Sequence, residues 1–391
     1  MPAICLNFQL HQPYRIRQYD FTSIGTHHEY FDEVMNRGIL DHMCDNCYLP
    51  ANELMLSVIE KNHGEFRISF SISGSLLEQL EANRPDVLES FLELHQTGCV
   101  EWIAETYYHS LASQYSRSEF VRQVEMHRNQ IEEIFGIRPQ MFRNTELLFS
   151  NDLVNEVVRM GFAGILVPST EKLLKQRSPN YIYKTPLSNK LLCLPKNSSL
   201  TAEISRHFYT RAHEKYPLTP LKFTGLLDGL GKEADCVSLF MDYGVFSKQQ
   251  EAEHDLLDFF EAFPKLAVAH GHPFYTPSEL LKQGIPNGKY DVPYPITWSY
   301  PDYNLGYLTQ NDIQQEAINR LYELEEAVLA KNNPDLLMDW SRLQASDHFF
   351  YMTHKFEEQG GTNIYSPYKT AYDAYNYYLN VLTDLELRVR R

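Results

Sequence analysis

Short segments that alternate apolar and polar residues recur along most of this chain, and stretches with helical spacing separate them. That rhythm limits the fold more than any other property, because strands divided by helices pair in parallel with the helices outside. Ile4, Leu6, Phe8 and Leu10 alternate, and His11-Gln12-Pro13 ends the run; Pro13 cannot continue a central strand. Phe66, Ile68, Phe70 and Ile72 alternate next, followed by helical spacing over residues 75–97, interrupted at Pro85 and stopped by Gly98. Val100 to Glu105 reads as a third strand. Ser116 with Glu119 forms a capping-box pattern for a helix running to Phe135, with Gly136 as its stop.

Further strands are predicted at 141–147, 164–168, 191–195 and 236–243, with helices from Asn151 to Met160 and from Glu251 to Phe263. Leu266 to His270 reads as a last strand. Seven or eight strands at this spacing predict an α/β architecture, a closed or nearly closed β/α barrel occupying residues 1–290. Residues 286–303, rich in Pro, Tyr and Gly, read as a linker. Beyond it the spacing predicts three helices, from Asn311, over Leu336–Lys355 and over Tyr368–Arg388, so that 291–391 form a C-terminal helical bundle packed on the barrel.

In such barrels the carboxyl ends of the strands carry the chemistry. Two predicted strands deliver acids there: Met141-Phe142-Arg143-Asn144-Thr145-Glu146 and Ser238-Leu239-Phe240-Met241-Asp242. Paired carboxylates are what a glycosidase uses, one to attack or stabilise and one to carry the proton. A strand-end acid also serves as a loop solvator or helix cap. His11 shares the strand-end position, where it reads either as a buried histidine satisfied by a carbonyl or as a donor to a sugar hydroxyl. His109, after Tyr107-Tyr108, is a further candidate. Trp298 in the linker suits stacking on a sugar, whereas Trp102 reads as core. Strand alternation turns Arg143 away from Glu146, toward a structural salt bridge.

Bulk properties exclude some functions. The 391 residues carry a net charge of −16 with no Lys/Arg run, so the basic footprint of a nucleic-acid binder is missing. No apolar run reaches transmembrane length, and Met1-Pro2-Ala3-Ile4-Cys5 lacks the basic start of a secretory leader; the expectation is a cytoplasmic protein with no membrane partner. Cys5, Cys99, Cys193 and Cys236 read as buried thiols, and the lone Cys44-x-x-Cys47 pair as packing rather than a zinc knuckle.

Taken in order, His11-Gln12-Pro13, Val100-Glu101, Tyr107-Tyr108-His109-Ser110-Leu111, Phe142-Arg143-Asn144-Thr145-Glu146, Phe240-Met241-Asp242-Tyr243 and Ser346-Asp347-His348-Phe349 resemble glycoside hydrolase family 57, most closely its α-amylase-like branch. Cys47-Tyr48-Leu49-Pro50-Ala51-Asn52 and Val292-Pro293-Tyr294-Pro295-Ile296-Thr297-Trp298 support that branch. The resemblance implies an incomplete seven-stranded β/α barrel with a helical C-terminal region. It implies retaining hydrolysis or transfer at α-glucosidic bonds of α-glucans or maltooligosaccharides. It carries the nucleophile role onto Glu146 and the acid/base role onto Asp242, and places His11, Glu101 and Asp347 in the sugar site. It implies no metal and no cofactor. Two positions depart from the family pattern: Gly244 stands where many members have Glu, and Ser247 where they have Gly. At the first strand, Gln9-Leu10-His11 replaces the His-x-His of some members.

Three other readings compete. One is an α-glucanotransferase of the same family. Another is a zinc-dependent carbohydrate hydrolase or deacetylase using His11, Asp242 and the pair His270 and His272. The third is a catalytically silent glucan-binding protein, suggested by the altered surroundings of Asp242.

Overall fold

The computed structural model describes residues 1–231, 234–247, 255–299, 301–354 and 366–390. Among the described residues, eight strands form two four-stranded sheets. They are β1 (Ala3–Leu10), β2 (Ile68–Ile72), β3 (Val100–Trp102), β4 (Met141–Arg143), β5 (Gly164–Val167), β6 (Tyr183–Lys184), β7 (Leu192–Pro195) and β8 (Cys236–Asp242). One sheet runs β3-β2-β1-β8 and the other β4-β5-β7-β6. All pairings are parallel except β6 with β7.

The facing edges of the two sheets meet at single parallel bridges. Ala104 pairs with Phe142 beyond the end of β3, and Lys196 with Ser238 beyond the end of β7. Seven parallel strands therefore run around a ring, β1-β2-β3-β4-β5-β7-β8, that is continuous hydrogen-bonded sheet except at these two seams. This is an incomplete β/α barrel. The strands are largely buried, with β1 buried at every position, as expected where helices cover a parallel sheet. All six cysteines are free and buried.

The largest apolar cluster joins β1, β2 and β8 to the helices around them, with Phe8, Phe70, Trp102, Tyr243 and Phe260 in edge or stacked contact. The predicted helix at 75–97 is two, Gly74–Asn83 and Pro85–Gln96; Pro85, lacking an N–H, opens the second. Ser116 caps Arg117–Phe135 through Glu119 N, and Gly136 ends that helix at φ 68°.

Two expectations fail. Leu266 to His270 is not a strand. It is the last turn and C-cap of the helix Leu256–Ala269, which accommodates Pro264 internally and buries Leu256, Phe259, Phe260, Phe263 and Ala267 on one face. Of the apolar run at 266–269, Ala267 continues that face, Leu266 and Val268 flank it half-buried, and Ala269 is exposed. The expected start of this helix at Glu251 lies outside the described residues.

The second tail helix is also broken. Pro334–Arg342 and Ser346–Tyr351 are separate, and the expected end at Lys355 lies outside the described residues. Between the two, Ala345 pairs with Ser110 in an antiparallel bridge and Ser346 N donates to His109 O at 3.1 Å. The break pins the helical region to the barrel mouth. Helices Asp312–Glu323, Pro334–Arg342, Ser346–Tyr351 and Ala371–Arg390 share a core containing Ile318, Leu321, Trp340, Phe349 and Leu382. No helix among the described residues is long and apolar enough to cross a membrane.

Candidate active site

Glu146 stands just past the carboxyl end of β4. Asn144 follows the strand and accepts Thr145 N on its own side chain at 3.0 Å, starting the turn Thr145–Leu147. Glu146 and Leu147 both adopt positive φ, 57° and 50°. Non-glycine residues in that region cost roughly 1–3 kcal/mol each, and such strain concentrates at functional sites. Here it points the Glu146 carboxylate across the mouth. Trp298 Nε1 donates to Oε2 at 2.6 Å, the Tyr307 hydroxyl donates to the same oxygen, and His109 Nε2 lies 3.6 Å from Oε1. Burial alone would raise the proton affinity of Glu146. The His109 charge and the Tyr307 and Trp298 donors outweigh it, and the carboxyl falls below its ordinary range.

His109 also has positive φ, 55°. Its Nδ1 lies 3.2 Å from Glu105 Oε2. Glu105 in turn pairs with Arg143 Nη2 at 2.6 Å, with both side chains fully buried, and accepts Ser71 Oγ–H at 2.7 Å. Burial would disfavour the imidazolium, but the carboxylates of Glu105 and Glu146 on its two nitrogens raise His109 to about 9. His109 is therefore protonated at neutral pH, donates Nδ1–H to Glu105 and faces Glu146 at ion-pair distance.

The His11 ring stacks on His109, with centroids 4.3 Å apart and planes at 20°. His11 Nε2 is 2.8 Å from Asp347 Oδ2 and Nδ1 is 2.7 Å from Ser73 Oγ. Burial is the main reason that His11 falls below the usual histidine value, and the neighbouring His109 charge adds to it. A neutral His11 then donates Nε2–H to Asp347 and accepts the Ser73 hydroxyl at Nδ1. Asp347 lies well below its ordinary range; burial opposes this, but the His11 donor and the charges of His109 and Arg15 prevail. The broken helix described above delivers Asp347 to this position.

Asp242 is the last residue of β8 and pairs in register with Gln9. Its Oδ1 accepts Gly244 N at 2.7 Å and its Oδ2 lies 3.4 Å from Gln9 Nε2. The residue is open to solvent along one side, but protein crowds the rest of the carboxyl. That partial dehydration raises its proton affinity despite the Gly244 and Gln9 donors and the charges of His109 and Arg143.

Both acids lie within reach of the His109 charge. Phe240, two residues before Asp242 and so on the same face of β8, meets the Trp298 ring edge-on at 5.3 Å. Trp298 is the residue that holds Glu146. The Arg143 guanidinium lies 5.9 Å from the Phe240 ring. An ionised carboxylate and a carboxyl biased toward its protonated form, at strand ends of one barrel, can act as a nucleophile and an acid/base.

The structure brings together Glu146, Asp242, His11, His109, Trp298 and Asp347. It places Glu101 elsewhere. Glu101 lies opposite Ser69 in β3 and accepts Ser278 N at 2.8 Å and the Ser278 hydroxyl, at the start of the helix Pro277–Gln283. Glu105, four residues or roughly 13 Å further along an extended chain, is the glutamate at the mouth. The strand-end criterion that picks out Glu146 and Asp242 also picks out Glu105. Tyr307 and Lys196 carried no such signal. Arg143 is the expected buried salt bridge. Trp102 is core, stacked on Phe135 at 3.8 Å.

The residues of the zinc reading are not assembled. His270 and His272 both contact Asp228, and His272 also contacts Pro2 O. His11 and Asp242 are engaged as described above. Among the described residues no group of three or more His, Cys, Asp or Glu is arranged to hold a metal ion.

Residues 5–293 match the family model described as "Glycosyl hydrolase family 57". A Methanocaldococcus jannaschii protein named "Putative alpha-amylase" is 31% identical over 401 residues, covering 99% of this chain and 85% of that protein. Among solved structures, the 4-alpha-glucanotransferase from Thermococcus litoralis superposes with a TM-score of 0.68 at 15% identity, covering 89% of this chain and 56% of that chain. A branching enzyme of the same family from Pyrococcus horikoshii gives a TM-score of 0.68 at 16% identity, covering 92% and 86%. At such identities these two structures speak to the fold alone.

Proposed function

The chain belongs to glycosyl hydrolase family 57, is a glycan-processing enzyme on that ground, and we propose that it is a retaining α-glucosidic hydrolase of α-amylase type. In this reading Glu146 attacks the anomeric carbon and Asp242 gives its proton to the departing oxygen. A glycosyl ester then forms on Glu146, and the leaving sugar takes up the Asp242 proton. Asp242, now ionised, removes a proton from the incoming water as the ester breaks and Glu146 is released.

The observation that carries this reading is the opposed electrostatics of the two acids. His109, Trp298 and Tyr307 keep Glu146 ionised, while Asp242 retains its proton to higher pH than an ordinary aspartate. His11 and Asp347 would bind hydroxyls of the glucosyl unit beside Glu146.

Transfer to a second sugar is the alternative outcome of the same intermediate, favoured when a saccharide rather than water reaches it. Glu146→Gln should abolish turnover of maltooligosaccharides while the circular dichroism spectrum stays that of the parent. A variant that hydrolyses them at the parent rate would refute the assignment.

A further inference from the structure

A second set of charged side chains borders Trp298 and takes no part in holding Glu146 or Asp242. Lys196 follows β7, where its amide donates to Val167 O at 2.9 Å and its backbone bridges to Ser238 at the barrel seam. This fixes it at the carboxyl end of the strand. The residue is 9% exposed. Its ammonium nitrogen lies 4.4 Å from the centre of the Trp298 ring, and among the described residues no hydrogen bond or ion pair reaches it. A buried ammonium without a counter-charge is unfavourable. Accordingly the amine falls to about 7, through burial first and the Arg206 charge second, with Glu146 opposing.

Lys196 opens into a cavity of about 400 Å³, within the usual range for small-molecule sites of roughly 300–1,000 Å³. Ser198, Ser199, Arg206, His207 and Trp298 share its lining. The two serines begin the helix Ser198–Ser205, capped by Asn197 through Leu200 N; its amino end adds partial positive charge. The acid in the wall, Glu203, is already engaged by His213 at 2.8 Å and Lys215 at 3.0 Å. Two basic side chains, two hydroxyls and a helix start thus converge on one cavity whose acid is paired elsewhere. Neutral sugar hydroxyls would leave the Lys196 charge uncompensated, whereas a dianion would compensate it.

We infer that this cavity is a subsite for a phosphate-bearing sugar, adjoining the glucosyl unit that reacts at Glu146 across Trp298, with Lys196 as its specificity-determining residue. The link to the reacting unit rests on the reading of Glu146 given above; binding in the cavity does not.

Isothermal titration of the intact chain at low salt, with glucose, glucose 6-phosphate, glucose 1-phosphate and inorganic phosphate, tests it. At least one sugar phosphate should bind ten or more times tighter than both glucose and inorganic phosphate. Lys196→Met should reduce that preference to under threefold, and Lys196→Arg should keep it. The inference is overturned if no sugar phosphate is preferred over glucose, if inorganic phosphate binds as tightly, or if the preference survives in Lys196→Met. The comparison in the parent protein stands whether or not Lys196→Met folds. Maltooligosaccharide turnover without a phosphate preference would refute the subsite alone. A Lys196-dependent preference without any glycosyl turnover would instead refute the reading of Glu146.

Discussion

Removing Glu105 should reveal how far the site depends on one buried ion pair. Glu105 and Arg143 are both inaccessible to solvent, with Oε2 and Nη2 2.6 Å apart. Ser71 ties them a second time, accepting Arg143 Nε–H at 3.0 Å and donating to Glu105 Oε1 at 2.7 Å. With charge centres about 4 Å apart and an effective dielectric constant near 20, their attraction is about 4 kcal/mol. Glu105→Gln leaves the guanidinium buried without a counter-charge, a loss of about 3–5 kcal/mol of stability. Arg143→Met leaves the carboxylate with the protonated His109 as its remaining charged partner and should cost less. The double variant removes both charges, so its loss should fall short of the sum of the single losses by at least ~2 kcal/mol. Urea unfolding of the four proteins, followed by tryptophan fluorescence, measures this. Activity should separate from stability, because the double variant still lacks the Glu105 acceptor for His109 Nδ1 and should remain impaired on maltooligosaccharides. Single losses under ~1 kcal/mol that simply add would refute the reasoning.

Three further outcomes follow from the geometry. His109, raised to about 9, gains stability from its proton; that contribution is complete below the unfolded histidine value of roughly 6.5 and is lost as pH rises through about 9. The unfolding midpoint should therefore fall between pH 7 and 10, and His109→Asn should flatten that part of the profile. Tyr307→Phe removes a donor to the Glu146 carboxylate, worth about 1.5–3 kcal/mol for a charged acceptor; the acid limb of kcat/KM should move to higher pH, and an unchanged limb would show that the hydroxyl does not tune Glu146. At Gly244 an added Cβ would lie 2.7 Å from Asp242 Oδ1, so Gly244→Ala should displace the carboxyl and lower kcat at least about tenfold, equivalent to ~1.4 kcal/mol of barrier, with little change in KM.

Much of the scaffold was legible because period-two alternation survives in β1 and β2 and β8 is one largely apolar run, all strands of five residues or more. The short segments β3, β4 and β5 became readable through the turn signals and helices between them. The run at 266–269 misled because four apolar residues fit a strand as well as a buried helix face, and only the longer series from Leu256 through Phe263 to Ala267 distinguishes them. Glu146 and Asp242 stood out as acids where apolar runs stop. Glu105 meets the same test, yet the resemblance drew the choice to Glu101. The positive φ values of His109 and Glu146 leave no local trace, since both are ordinary non-glycine residues. Tyr307 and Lys196 could not be found from spacing, because their meaning arises from contacts with Glu146 and Trp298 across more than a hundred residues. The departures at Gly244 and Gln9 acquire a physical sense only in three dimensions: one donates its amide to Asp242 without a side chain in the way, and the other offers its carboxamide to the same acid.

The central claim is that Glu146 forms the bond to the sugar. Incubation with 5-fluoro-α-D-glucosyl fluoride, followed by proteolysis and mass spectrometry, tests it most directly. The account predicts a single fluoroglucosyl adduct on the peptide containing Glu146, absent in Glu146→Gln. An adduct on Asp242, or products of inverted anomeric configuration with no adduct at all, would contradict it.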